Sequence, residues 1–328
     1  MNPMSRNKRR GNPIVLIVIL ILVPVFILSG LQFLESTGLF DGEQDRPIQT
    51  KTIIRDGKSY YPRQDITVIL LAGIDESGKA EASGSYNNPG EADVVTLLVF
   101  DNTNKKLDLI TLNRDTMMEI PVLGVTGQNA GTVTGQLALA HTYGSGLKDS
   151  ADNLQKAVSE YCYDLQINYF ITLRMDAIGI LNDAVGGVEV DITEDFSQID
   201  PTMTGKVRLT AEQAQIYLQM RRGVGDQLNV SRMERQEKYM RAFAEAFRAK
   251  VEESEEFAIT AYDAVHEYAV TDCTAKTISG FVQRFEDYTL GDVVTFDGTN
   301  VENKFMEYHV TQEQKDEVVL KYLYALKD

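Results

Sequence analysis

Soft-metal ligands are scarce in this sequence, with two cysteines and three histidines among 328 residues. No C-x-x-C pair occurs, which excludes a thiol-based zinc site, and His141, His266 and His309 lack ligand-like spacing, so they read as structural or exposed. Cys162 and Cys273 lie far apart in sequence, and either a disulfide or two free thiols fits them. Cationic charge is also short: 32 Lys and Arg face 48 Asp and Glu, for a formal net charge of -16. Four of the cations, Arg6, Lys8, Arg9 and Arg10, sit in the first 13 residues, so the remainder is more acidic still and cannot bind nucleic acid through its phosphates.

Long apolar runs are concentrated at the amino terminus. Residues 14–34, IVLIVILILVPVFILSGLQFL, are long enough to cross a bilayer as one helix. A cleaved signal peptide would have a shorter apolar core and end in an A-x-A-like site, so the expectation is an uncleaved anchor. The basic residues before it predict a cytoplasmic amino terminus and an extracellular remainder. Residues 35–64 read as a polar linker with a short strand near 52–54, residues 65–250 as the main domain, and residues 251–328 as an accessory layer on it.

The pattern beyond the linker is α/β. ITVILLAGID, ADVVTLLVF and LDLITLNRDTM carry continuous apolar, β-branched runs of the kind found in strands covered on both faces. Residues 136–143 and 151–163 read as helices. Residues 169–173, 175–184 and 188–192 read as a strand-helix-strand unit, implying a parallel neighbour. The fold class expected is an α/β/α sandwich around a mixed central sheet.

Two groups of residues carry chemistry. Asp75 leaves one strand and Asp93 enters the next, so the two carboxylates converge if those strands are neighbours; oxygen-only donors suit magnesium or another hard cation, although two acids near strand ends also arise by chance. Arg114 ends the third strand, and its neighbour Asp115 reads as a bracing ion-pair partner. The second group is LTAEQAQIYLQMRRGVGDQLNVSRMERQ, residues 209–236. Thr210 with Gln213, and Ser231 with Glu234, are capping-box signatures that open two helices, the second carrying Met233, Tyr239, Met240, Phe243 and Phe247 as a core stripe. Arg232 falls in the first turn of that helix, where the dipole disfavours a cation by a few tenths to about 1 kcal/mol unless an anion is present. Arg221, Arg222, Arg232 and Arg235 therefore read either as an anion site or as surface ion pairs.

These stretches, with INYFITLRMDAIGILNDAVGGVEVDI between them, resemble the LytR-CpsA-Psr family of bacterial envelope proteins in order and spacing over residues 66–247. The resemblance implies a domain outside the membrane that moves an anionic glycopolymer, such as capsule or teichoic acid, from a polyprenyl-pyrophosphate carrier to peptidoglycan, with magnesium or manganese. Residue by residue, Asp75 and Asp93 match the family's metal aspartates. Arg114 matches the arginine of its I-P-R-D segment, Arg221 the second arginine of R-x-R, and Arg232, Arg235 and Gln236 its G-R-x-x-R-Q. On this basis Arg114, Arg221 and Arg232 are the expected catalytic clamp and Arg222, Arg235 and Gln236 the substrate-binding set.

Three family cations are replaced: Glu91 stands for the arginine of R-S-D, Gln219 for the first arginine of R-x-R, and Gln136-Leu137-Ala138 for K-I-N. Each arginine lost removes a charge-assisted hydrogen bond of about 1.5–3 kcal/mol. A phosphotransferase is thus the first expectation and a binding module of the same fold the second. A DNA-binding attenuator is opposed by both charge and topology.

Overall fold

The computed structural model describes residues 51–327 except 221–222, 225–234, 236–237, 240, 244, 248, 251–252, 255–256, 274–276 and 278–287. The apolar run at 14–34 lies outside these, and among the described residues no helix is long and apolar enough to cross a membrane.

The chain opens with a hairpin, β1 (Ile53–Arg55) and β2 (Lys58–Pro62). Asp56 and Gly57 turn it with φ of 49° and 71°, the left-handed pair that a two-residue hairpin turn requires. Then come β3 (Ile66–Asp75), β4 (Glu91–Asp101) and β5 (Lys106–Leu112), followed by the hairpin β6 (Met117–Leu123) and β7 (Asn129–Gln136). Only Leu137–His141 of the helix expected at 136–143 is helical, as a short 3-10 turn, because Gln136 is still paired in β7. Helix α1 (Lys148–Tyr161), β8 (Tyr169–Arg174), α2 (Asp176–Ala184), β9 (Glu189–Ile192), β10 (Gly205–Arg208) and α3 (Ala211–Gln219) complete the first part. Helix α4 (Phe257–Val265), β11 (Ala269–Thr271), β12 (Thr289–Thr295), β13 (Thr299–Glu302), β14 (Met306–His309), α5 (Gln312–Tyr322) and β15 (Tyr324–Leu326) follow.

Six strands form the central sheet in the order β11-β8-β3-β4-β5-β12. β3 pairs parallel with β8 and β5 with β12, while β3–β4, β4–β5 and β8–β11 are antiparallel, so the sheet is mixed. The carboxyl-terminal stretch read as a layer supplies both edge strands. β15 likewise pairs with β2, so residues 53–62 of the stretch read as linker are folded against the end of the chain.

The strand-helix-strand expectation is corrected. β9 does not join the sheet beside β8; it pairs with β10 in a separate two-stranded sheet, and the parallel neighbour of β8 is β3. The reason is in the side chains. Val190 and Ile192 are buried while Glu189 and Asp191 are exposed, a strand with one covered face, unlike the doubly covered strands of the centre. Gly186 and Gly187, with φ of 83° and 85°, turn the chain away from the sheet before it starts.

Alternation sorts the sheet residues onto two faces. Val68, Leu70, Ala72, Val95, Leu97 and Val99 pack with Ala151, Leu154 and Val158 of α1 and Val319 of α5, whereas Ile69, Leu71, Leu98 and Leu109 form a cluster on the other face. A separate core joins α2, α3 and α4 with Tyr239, Phe243 and Phe247, the described part of the predicted aromatic stripe.

Candidate functional site

Strand direction decides where the polar residues meet. β3, β5 and β8 run one way and β4 runs the other, so the carboxyl ends of β3, β5 and β8 and the amino end of β4 share one edge of the sheet. That edge gathers Asp75, Glu91, Asp93, Arg114 and Arg174. Asp75 stands opposite Glu91 in the β3–β4 register. The register shifts between Gly73, paired with Val94, and Ile74, paired with Ala92, leaving Asp93 as the extra residue of a bulge. Bulges re-aim side chains, and this one frees Asp93 from the strict alternation of the ladder. Arg114 lies two residues past the end of β5, in the turn that follows it.

The side chains follow this geometry. Arg114 Nη1 donates to Asp93 Oδ1 and Nη2 donates to Glu91 Oε2. Its Nε lies 3.6 Å from Asp115 Oδ1, the bracing partner expected of Asp115. The guanidinium is 18% exposed, sheltered but within reach of a ligand. Asp75 is exposed at the end of β3.

A buried polar network fixes the backbone behind this cluster. Asn88, 4% exposed, donates through Nδ2 to the carbonyls of His141 and Gly144 and to Ser150 Oγ, at 2.9, 3.0 and 3.0 Å, and accepts from the Gly90 amide at 2.8 Å. A Cβ at Gly90 would sit 2.8 Å from Ile74 Cγ2, so only glycine allows this close approach. His141 is buried with Nδ1 2.7 Å from the Gly90 carbonyl; desolvation lowers its pKa to about 4, so the ring is neutral and Nδ1–H donates. Arg174, also buried, pairs with Glu76 at 3.1 Å and donates to the carbonyls of Ser77 and Glu81, tying down the start of the 76–90 loop. On the other side, the Ala138 amide donates to the Arg114 carbonyl at 2.9 Å and Gln136 Nε2 to Asp115 Oδ1 at 2.8 Å. Thus the segment in place of K-I-N supports Arg114 through its backbone.

Of Asp75, Asp93 and Arg114, which the sequence places at strand ends, Asp93 and Arg114 are hydrogen-bonded, and Asp75 stands at the same edge opposite Glu91. The sequence reading singled out Glu91 only as a replacement and overlooked Arg174 and Asn88. Arg174 carried the same signal as Arg114, a cation at the end of an apolar strand. His141 is structural, and the capping box of Thr210 and Gln213 is formed. Arg221, Arg222, Arg232 and Gln236 lie outside the described residues, as does the Ser231–Glu234 box. Arg235 is fully buried: Nε donates to the Tyr217 carbonyl at 3.0 Å and Nη2 to the Met220 carbonyl, with Glu194 3.9 Å away and the Phe196 ring beneath. It thereby satisfies the last carbonyls of α3, a packing role where the sequence suggested direct contact with an anion. Cys162 and Cys273 are not joined in a disulfide, and burial pushes the Cys162 thiol up to about 12.

The donor chemistry fits a hard cation at Asp75 and Asp93. Both are carboxylates, no softer donor accompanies them at the edge, and magnesium takes one or two carboxylates with water or phosphate oxygens for the rest. No group of three or more His, Cys, Asp or Glu side chains with metal-holding geometry occurs among the described residues. Two carboxylates suit an ion that takes its remaining ligands from water or phosphate oxygens.

A mixed α/β domain with two aspartates and an arginine converging at one sheet edge is the class that emerges. The chain belongs to the LytR_cpsA_psr family, whose model matches residues 39–323. Among curated relatives, a polyisoprenyl-teichoic acid–peptidoglycan teichoic acid transferase TagU of Enterococcus faecalis is 32% identical over 156 residues, 47% of this chain and 45% of the relative. TagU of Bacillus cereus strain AH820 is 28% identical over 155 residues, 47% of this chain and 44% of the relative. The aligned stretch spans a little under half the length of these relatives. Among solved structures, B. subtilis TagV superposes with a TM-score of 0.55 at 18% identity, covering 79% of this chain and 96% of that one. TagT bound to LI-WTA gives 0.54 at 18% identity, covering 86% and 98%. At these identities the structural likeness establishes the fold.

Proposed function

We propose that this protein is an extracytoplasmic phosphotransferase that moves an anionic glycopolymer from a polyprenyl-pyrophosphate carrier to peptidoglycan, anchored in the cytoplasmic membrane by residues 14–34. The reading is carried by one observation: Asp75, Asp93 and Arg114, which match the family's metal aspartates and phosphate arginine, share one sheet edge. The activity named for the TagU relatives and the ligand of the TagT structure support it.

The proposed chemistry is a phosphoryl transfer. An acceptor hydroxyl oxygen forms a bond to the phosphorus that carries the glycan, the bond from that phosphorus to the bridging oxygen breaks, and polyprenyl phosphate leaves with the electron pair. Asp75 and Asp93 would hold magnesium or manganese, which when bound neutralises phosphate charge. Arg114 meets a phosphate oxygen in the transition state, where charge-assisted hydrogen bonds from a preorganised guanidinium are worth most. Arg221, Arg232 and Gln236 are proposed to complete the clamp. A carboxylate not engaged by metal takes the hydroxyl proton.

The second reading, a module that binds the lipid-linked polymer without transferring it, is favoured by Glu91, which occupies Arg114 where the family has a further arginine. Calorimetry of the full chain in detergent with a polyprenyl pyrophosphate tests what the two readings share. Binding that requires magnesium and is lost in Asp75→Ala and Asp93→Ala supports the site, and magnesium-independent binding in all three proteins removes it.

A further inference from the structure

We infer that Glu91 is a positioning residue that restrains Arg114 and thereby sets the affinity of the site for pyrophosphate. The inference rests on the phosphate-binding reading of this sheet edge and adds a control built from this chain's own residues.

A guanidinium meets a phosphate through its paired N–H groups, the same geometry it uses for a carboxylate. In Arg114 both terminal nitrogens are already engaged, Nη1 by Asp93 and Nη2 by Glu91. One N–H remains on each terminal nitrogen, so a phosphate that takes a paired grip on the Nη1 and Nη2 edge competes with the resident carboxylates. Asp93 is assigned to the cation, which leaves Glu91 as the partner whose sole described contact is the arginine.

Two features keep Glu91 there. It is the first residue of β4 and stands directly opposite Asp75, and like charges facing each other across a ladder repel. Turning toward Arg114 relieves that repulsion. Among the described residues, the other arginine of this edge offers no alternative, because Arg174 is held by Glu76 and by the carbonyls of Ser77 and Glu81. Glu91 is 39% exposed against 18% for Arg114, so the pair is screened on one side only and its restraint is moderate. A ligand can break it, at a cost in affinity.

The test is calorimetric titration of the full chain in detergent with inorganic pyrophosphate at fixed magnesium, using wild type, Glu91→Gln, Glu91→Asp, Arg114→Ala and the double variant Glu91→Gln/Arg114→Ala, each checked for an unchanged unfolding transition. Glu91→Gln is expected to bind pyrophosphate roughly three- to tenfold more tightly, Glu91→Asp to stay within about twofold of wild type, and Glu91→Gln to change nothing once Arg114 is absent. A gain on removing an ion pair is a result that a purely structural role does not produce. Unchanged or weaker binding by Glu91→Gln, with Arg114→Ala still weakened, would overturn the restraint and leave the site standing. An equal gain in the Arg114→Ala background would show simple charge repulsion and overturn it too. Absence of pyrophosphate binding in every protein would remove the phosphate-binding reading and the restraint with it.

Discussion

Arg114 and Asp93, 21 residues apart in sequence, are joined by a hydrogen bond across the end of the sheet, one from the turn after β5 and the other from the start of β4. The contact puts the proposed phosphate cation and a proposed metal carboxylate within one another's reach. Arg114→Ala should weaken binding of a polyprenyl pyrophosphate by about 1.5–3 kcal/mol, the range for hydrogen bonds to charged groups. It should also leave Asp93 and Glu91 without their cation, so magnesium affinity should rise as pyrophosphate affinity falls. Paired titrations with the two ligands check both signs.

Asn88 is expected to be the least replaceable residue behind the site. Asn88→Ala removes donors to His141, Gly144 and Ser150 and the acceptor of the Gly90 amide, leaving buried groups unpaired at a cost of about 1–3 kcal/mol or more. Urea unfolding should show a lower midpoint at unchanged slope. Pyrophosphate binding should fall with it, since the His141 carbonyl that Asn88 holds belongs to the 3-10 turn whose Ala138 amide donates to the Arg114 carbonyl.

His141 gives the domain an acid-sensitive element. Its folded pKa, lowered to about 4 by desolvation, lies below its ordinary value near 6.5, so the native state binds fewer protons than the unfolded one between those values. The stabilisation is complete above pH 6.5 and is lost as pH falls through 4, amounting to roughly 3 kcal/mol. His141→Gln should lack this component, so the stability difference between wild type and variant should shrink across that window. A constant difference from pH 7 to 4 would exclude a neutral buried imidazole.

At the opposite end of β4, Asp101 ties the chain entry to the sheet. Burial alone would raise its carboxyl; hydrogen bonds from Arg63, from the Asn104 side chain and from the Asn104 amide outweigh that and hold it at about 2. Because the folded value is depressed, the contribution is present above about pH 4 and lost as pH falls through 2. Asp101→Asn should cost about 1–3 kcal/mol near neutrality, with the gap closing toward pH 2. Thermal melts at several pH values measure it.

Much of this was legible in the sequence because the informative signals are local. Continuous apolar runs marked β3, β4 and β5, and strand ends located Asp75, Asp93 and Arg114. Thr210 and Gln213 announced a capping box that is formed on both sides. What stayed hidden depends on pairing between distant segments. The alternation of residues 189–192 marks a strand with one covered face but does not name β10 as its partner, and nothing near 269–271 or 289–295 says that those strands close the two edges of the central sheet. Glu91 reads as a lost cation, whereas its side chain accepts a hydrogen bond from Arg114. Arg235 read as an anion ligand because its motif matched, but its side chain goes to the carbonyls of α3, a choice made by the depth of its helix in the core.

The central claim is transfer, and it is tested most directly by incubating the full chain in detergent with a polyprenyl-pyrophosphate-linked anionic glycan, magnesium and a peptidoglycan oligomer, then analysing the oligomer by mass spectrometry. The expected result is a glycan joined to the oligomer through a phosphodiester, with polyprenyl phosphate released in equal amount and both products abolished in Arg114→Ala and Asp75→Ala. Tight binding of the lipid-linked glycan with no joined product under any of these conditions would contradict it and leave a binding module.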